Sequence, residues 1–157
     1  MLQTFVILAA SAAVAAAETP PTFDGYALGM TIGEAEAISP ARKSLECAKL
    51  MTSRCIVYER RIGSVTATVT VHFALDDRRI DQIEIAPKDS GAYGGASCQA
   101  AWSSLVSALT ATYGEPQSRE GNTARWHTAA MALTATVLQE EGEFCDVGAS
   151  LTAAGPP

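Results

Sequence analysis

Cys98 is the residue best placed for covalent chemistry. It follows the glycine-rich stretch "GAYGGAS" (residues 91–97) and stands at the start of a helical pattern. A helix N-terminus lowers a thiol's pKa and so favours the nucleophilic thiolate. With His127 and Asp146 it supplies the residue types of a nucleophile, a base and an orienting acid, the set a thiol hydrolase needs. That chemistry requires a reduced Cys98, and the other cysteines argue against one. Cys47, Cys55, Cys98 and Cys145 are an even number, and in an exported chain that reads as two disulfides. No C-x-x-C redox pair occurs, and no C-x(2–4)-C spacing of a structural zinc site. His72 and His127 add no metal-type spacing. The sequence therefore assigns no catalytic residue, no metal and no cofactor. Of the three pairings open to four cysteines, Cys47–Cys55 closes a short loop ahead of a strand. Cys98–Cys145 ties a helix start to a late strand. We expect these two.

Four further features have a chemical and a plainer reading. "GAYGGAS" could cradle an anion at a helix start, but it holds no Lys or Arg, and a connector explains it. Asp76–Arg79 ("DDRR") has too few oxygen donors at set spacing for calcium and reads as a hairpin loop. His72 falls on the wet side of an alternating strand. Gln139–Glu143 ("QEEGE") is an acidic hairpin tip that would steer a basic partner.

These residues need a compartment. Phe5–Val14 is an apolar run, and Ala15-Ala16-Ala17 follows before Glu18. That is the pattern of a cleaved secretory signal over residues 1–17, although its n-region carries no Lys or Arg. The run falls short of the roughly 20 apolar residues of a membrane span. Residues 18–157 then form a single disulfide-stapled domain, periplasmic or secreted, with no stable membrane insertion after cleavage. All charge lies in that part, with a formal net value of -6. An acidic chain without a Lys/Arg cluster is a poor ligand for nucleic acid or anionic lipid.

The elements follow from capping and periodicity. Thr31 with Glu34 forms a capping box for a short N-terminal helix with Ala35 and Ile38 on its apolar face, stopped by Pro40. "ARKSLECAKLMTSR" reads as a second short helix or a loop. In "SVTATVTVHF", Val65, Ala67, Val69, Val71 and Phe73 alternate with polar residues, the mark of a half-buried strand. "CIVYERRI" precedes it, and "IDQIEIAP" follows the "ALDDRR" loop and ends at Pro87. The main helix carries Cys98, Trp102, Leu105, Leu109 and Tyr113 on one face, with Ser97 as cap and Gly114 at the left-handed terminal position. Past a polar loop, "QSREGNT", come the strand-like runs "ARWHT", "AMALTATVL" and "FCDVGASLTA".

The fold class is α+β: an antiparallel sheet of about five or six strands, with the main helix and the short N-terminal helix on one face. The succession reads helix then three strands, twice. "TATV" at Thr66–Val69 returns at Thr134–Val137, a candidate internal repeat in two halves.

The run from "GYALGMTIGEAEAI" through Tyr58 to "TVHFALDDRRIDQI" resembles the small bacterial envelope domains of the SmpA/OmlA type. It is also similar to the β-lactamase inhibitory protein type, which stacks two helix-and-sheet units. The resemblance covers about residues 25–86 and implies protein–protein contact through a sheet face, without catalysis. The first group is lipid-anchored in outer-membrane protein assembly, whereas this chain has no cysteine near its cleavage site. We therefore expect a non-catalytic exported protein that binds another protein or an envelope component. One alternative is a secreted enzyme inhibitor with an aromatic hot spot drawn from Tyr58, Tyr93 and Trp126. The other is the periplasmic thiol hydrolase using Cys98.

Overall fold

The computed structural model describes residues 22–47, 54–88, 95–128, 131–140 and 144–154. The signal-like segment 1–17, Tyr93 and most of the "QEEGE" tip lie outside the described residues, as do the side chains of 95–97, 137–140, 144 and 145.

A hairpin of β1 (Thr22–Phe23) and β2 (Tyr26–Ala27) opens the described chain. Its turn places Asp24 at φ 55° and Gly25 at φ 88°. Helix α1 (Ile32–Ile38) starts where the capping box was expected. Thr31 Oγ1 accepts from the Glu34 amide at 3.4 Å, and Glu34 Oε2 accepts from the Thr31 amide at 2.8 Å. Two orphan donors of the first turn are thereby satisfied. The helix ends before Pro40. Ala35 is fully buried, whereas Ile38, expected on the same apolar face, is 38% exposed.

The remaining strands are β3 (Leu45–Glu46), β4 (Arg54–Ile62), β5 (Val65–Phe73), β6 (Ile80–Pro87), β7 (Ser118–Glu120), β8 (Thr123–His127), β9 (Met131–Glu140) and β10 (Phe144–Ala153). Helix α2 (Gly95–Tyr113) stands between β6 and β7. All eight strands join one antiparallel sheet in the order β3-β4-β5-β6-β10-β9-β8-β7. The sheet is thus larger than the expected five or six strands. The additions are β3 and β7, two and three residues long, which carry no alternating apolar pattern of their own. Leu45–Glu46 lies where a second short helix or loop was expected. It pairs with Cys55 and Arg54. β7 lies where "QSREGNT" was read as loop. A two-residue turn at Gly121 and Asn122, with Gly121 at φ 55°, folds it back on β8.

The order of strands is symmetric about the β6–β10 seam. Each half is a helix followed by a four-strand meander, one strand more than expected, and the two meanders meet through their last strands. The two "TATV" copies fall on β5 and β9, the third strand of each meander.

One side of the sheet is buried. On β5, Ala67, Val69, Val71 and Phe73 are buried, while Thr66, Thr68, Thr70 and His72 are exposed or half-buried. Ile83 and Ile85 of β6, Leu133 and Ala135 of β9, and Val147 and Leu151 of β10 continue the buried side. Leu105, Val106 and Leu109 of α2 belong to the same apolar cluster. α2 begins at Gly95, two residues before Ser97, so Ser97 lies within the first turn and is not its cap. Gly114 takes the expected left-handed conformation at φ 81°, and its amide donates to Thr110 O at 2.9 Å.

Candidate functional site

The other side of the sheet is polar, and cross-strand register places its residues in rows. One row runs from Val57 through Thr70, Glu84, Ser150 and Thr134 to Arg125. A neighbouring row has Glu59, Thr68 and Ala86 on one half, and Gly148, Thr136 and Thr123 on the other. Around the seam, Ala86, Gly148, Ser150, Thr134 and Thr136 are small, and Gln82 and Glu84 stand among them as longer side chains. The result is a depression of about 240 Å³ over β6, β10 and β9, lined by Gln82, Glu84, Ala86, Thr134, Thr136, Asp146, Gly148 and Ser150. Gly148 contributes to its depth, because a Cβ there would rise 3.5 Å from Ile85 O. Gln82 Nε2 donates to Ser150 Oγ at 2.8 Å across its floor.

The charges of this face sort into paired and unpaired. Lys88 pairs with Glu59, and Arg125 lies 3.7 Å from Glu120. Arg61 Nε donates to Gly63 O at 3.4 Å. Glu84 meets only His72, at 3.2 Å, and Asp146 has no ion pair among the described residues. At the β3–β4 margin, Leu45 and Val57 are 49% and 43% exposed. Leu45 pairs with Cys55, two residues from Val57 along β4, so both stand on this face.

A second polar cluster lies under the N-terminal hairpin and has a structural task. Tyr58 Oη donates to Asp24 Oδ2 at 3.1 Å, Arg60 pairs with Asp24, and the Arg42 guanidinium lies 3.6 Å over the Tyr58 ring. Burial pushes the Tyr58 phenol well above its ordinary value, against the opposing charge of Arg42. Tyr113 donates to Thr22 O at 3.1 Å, and burial pushes its phenol up to about 12. These tyrosines pin β1 to β4 and α2. Beside them, Ser44 Oγ and its amide donate to Glu36 Oε1 at 2.8 and 3.0 Å, and Arg54 holds Ser44 O and Oγ at 2.8 and 2.7 Å. The Ser44 bonds hold the Glu36 carboxyl below its usual 4.5.

The structure does not gather the expected site residues. Trp126 is 1% exposed, and its indole Nε1 donates to Gly114 O at 2.7 Å. Tyr58 is 8% exposed. Neither can offer a ring to a partner, which corrects the aromatic hot spot. The reason is parity. Trp126 and Tyr58 stand on the core-facing positions of β8 and β4, where a large side chain has apolar neighbours. Tyr93 lies outside the described residues.

Cys47 and Cys55 are disulfide-bonded as expected, with Cα atoms 5.8 Å apart. Cys98 is also disulfide-bonded, and the described residues include no free cysteine. The side chain of Cys145, its expected partner, lies outside the described residues. A bonded Cys98 offers no thiolate, so the hydrolase reading loses its nucleophile in this form of the protein. The Asp76–Arg79 loop is a hairpin connection in which Arg79 Nη1 donates to Gly29 O at 2.7 Å. No group of three or more His, Cys, Asp or Glu suited to a metal occurs among the described residues. None of their helices is long and apolar enough to cross a membrane. The Cys47–Cys55 bond is compatible with a site outside the cytoplasm. Comparison with protein-family models, with curated proteins and with solved structures finds no match to this chain.

Sequence reasoning missed the central depression. The signal for it was present in Ala86 of β6, Thr134 and Thr136 of β9, and Gly148 and Ser150 of β10, the small residues at open positions. It becomes a place only when β10 is set beside β6.

Proposed function

We propose that this is a non-catalytic exported protein that binds another protein or a cell-envelope component through the open face of its sheet. The observation that carries the reading is the polar face itself, which no element of the described residues covers. It spans strands of both halves, has a depression at its centre, and is backed by a continuous apolar core. The buried apolar cluster, which includes Leu105, Val106 and Leu109 of α2, draws on the other side of the strands, so partner contact and core packing use different sides of one sheet. The resemblance to envelope domains that make sheet-face contacts supports the same reading. So does the closed Cys47–Cys55 bond, which suits a periplasmic or secreted protein. The enzyme-inhibitor alternative retains no aromatic anchor at Tyr58 or Trp126 and is not preferred.

The test is site-directed photo-crosslinking in envelope extract. A photoreactive residue at Thr134, in the depression, is compared with one at Gln99, on the exposed side of α2. A discrete adduct at Thr134 that is absent at Gln99 is the expected result. Equal labelling at both positions, or none at Thr134, would remove the open face from the reading.

A further inference from the structure

The charge of the open face narrows the chemistry of what it holds. Its Lys and Arg residues at the margins are already engaged: Lys88 with Glu59, Arg125 with Glu120, Arg61 with Gly63 O. The two carboxylates that line the depression have no such partner among the described residues. Glu84 Oε2 lies 3.2 Å from His72 Nε2, and Asp146 is exposed. The floor between them is Ala86, Gly148, Thr136 and Ser150, too small to fill the space. A depression of about 240 Å³ admits one long side chain, not a globular surface. We propose that it docks an arginine- or lysine-bearing loop of a partner protein, with Glu84 and Asp146 receiving the cation and the Thr and Ser hydroxyls receiving its remaining donors. The inference rests on the open-face reading and specifies its partner.

Three alternatives fit the charge less well. A second copy of this chain, docked by two-fold symmetry, would bring Glu84 and Asp146 towards their own equivalents, and like charges repel. An anionic lipid surface meets the same carboxylates and a net charge of -6. An acidic loop would have to displace Lys88 or Arg125 from their present partners. A cation, by contrast, finds two carboxylates lining the depression. An arginine suits the geometry best, because its planar fork bonds carboxylate and hydroxyl oxygens at once.

The experiment uses the full mature chain labelled with ¹⁵N and two capped peptides, penta-arginine and penta-glutamate, at low salt. Penta-arginine should shift amides within Gln82–Ala86, Thr134–Thr136 and Asp146–Ser150, and penta-glutamate should not. Glu84→Gln with Asp146→Asn preserves shape and removes both charges. It should weaken penta-arginine binding at least roughly ten-fold, as expected when charge-assisted contacts are lost. Shifts centred instead on Asp76, Asp77 and Asp81, or binding unchanged in the double variant, would overturn the proposal. The Thr134 crosslink separates the two levels. An adduct that persists in the double variant keeps the open face and discards the basic loop. No adduct in the wild type discards the open face itself. The melting temperature of the double variant, equal to that of the wild type, shows that its fold is intact.

Discussion

Gln82 and Ser150 are joined side chain to side chain across the seam of the sheet, Nε2 to Oγ at 2.8 Å. Gln82 belongs to the last strand of the first meander and Ser150 to the last strand of the second. Their bond lies diagonally over the β6–β10 ladder, in which Ile85 faces Ala149 and Ile83 faces Leu151. The halves therefore share both an apolar layer and a polar clasp on the wet side. Ser150→Ala should cost about 1 kcal/mol, the net worth of a partly buried hydrogen bond. Gln82→Ala should cost a similar amount. The double variant should lose little more than either single one, since both remove the same bond. Urea unfolding of the three variants measures this, and strictly additive losses would show that the bond contributes nothing of its own.

The two disulfides should differ in weight. Cys47–Cys55 closes a loop of eight residues' separation, and a Cys98–Cys145 bond would close a far longer one. In the chain-entropy model the longer bridge stabilises more, by about 1 to 1.5 kcal/mol. Cys98→Ala with Cys145→Ala should lower the melting temperature further than Cys47→Ala with Cys55→Ala. Peptide mapping without reduction gives the pairing directly, and the reverse order of stabilities would contradict it.

Trp126 should act as a core residue, not a contact residue. Trp126→Phe loses the indole bond to Gly114 O and part of the ring, at about 1–2 kcal/mol. Trp126→Ala should cost about 3–5 kcal/mol. In the folded Phe variant the Thr134 crosslink should be unchanged. A folded Trp126→Phe protein that has lost the crosslink would return the indole to the binding surface.

Acid should loosen the segment around Ser44 through Glu36. The Glu36 carboxyl is held below 4.5 by the Ser44 amide and hydroxyl. A depressed acid contributes stability that is fully present above its unfolded value, near 4.5, and that is lost as pH falls towards its folded value. Glu36→Gln should therefore flatten the fall of melting temperature below about pH 4.5 and leave the neutral range with a constant offset. Parallel pH profiles for wild type and Glu36→Gln would show that this carboxyl does not contribute to the acid limb.

The legible and the illegible parts of this chain divide along one line. The β5 alternation, the Thr31–Glu34 capping box, the Gly114 terminus and the Cys47–Cys55 bond are written locally, each within a stretch of about ten residues. β3 and β7 are not. Leu45–Glu46 and Ser118–Glu120 have no pattern of their own and become strands because β4 and β8 offer them an edge. The same holds for the aromatic residues. Trp126 and Tyr58 look available for contact until register assigns them to the core side. The central depression needs more still, since Ala86 and Gly148 become neighbours only through the seam.

That seam also sets an order of events. β6 has β5 on one side but lacks its second neighbour until β10, the last of the described strands, has arrived, because Ile85 waits for Ala149. An N-terminal fragment ending near Lys88 would carry β6 as a bare, apolar-backed edge, the kind of strand that recruits other chains. A nascent or proteolysed chain stopped there is an aggregation hazard, while a chain that includes β10 covers that edge. The arrival of β10 and the protection of β6 from self-association are thus one event in this molecule.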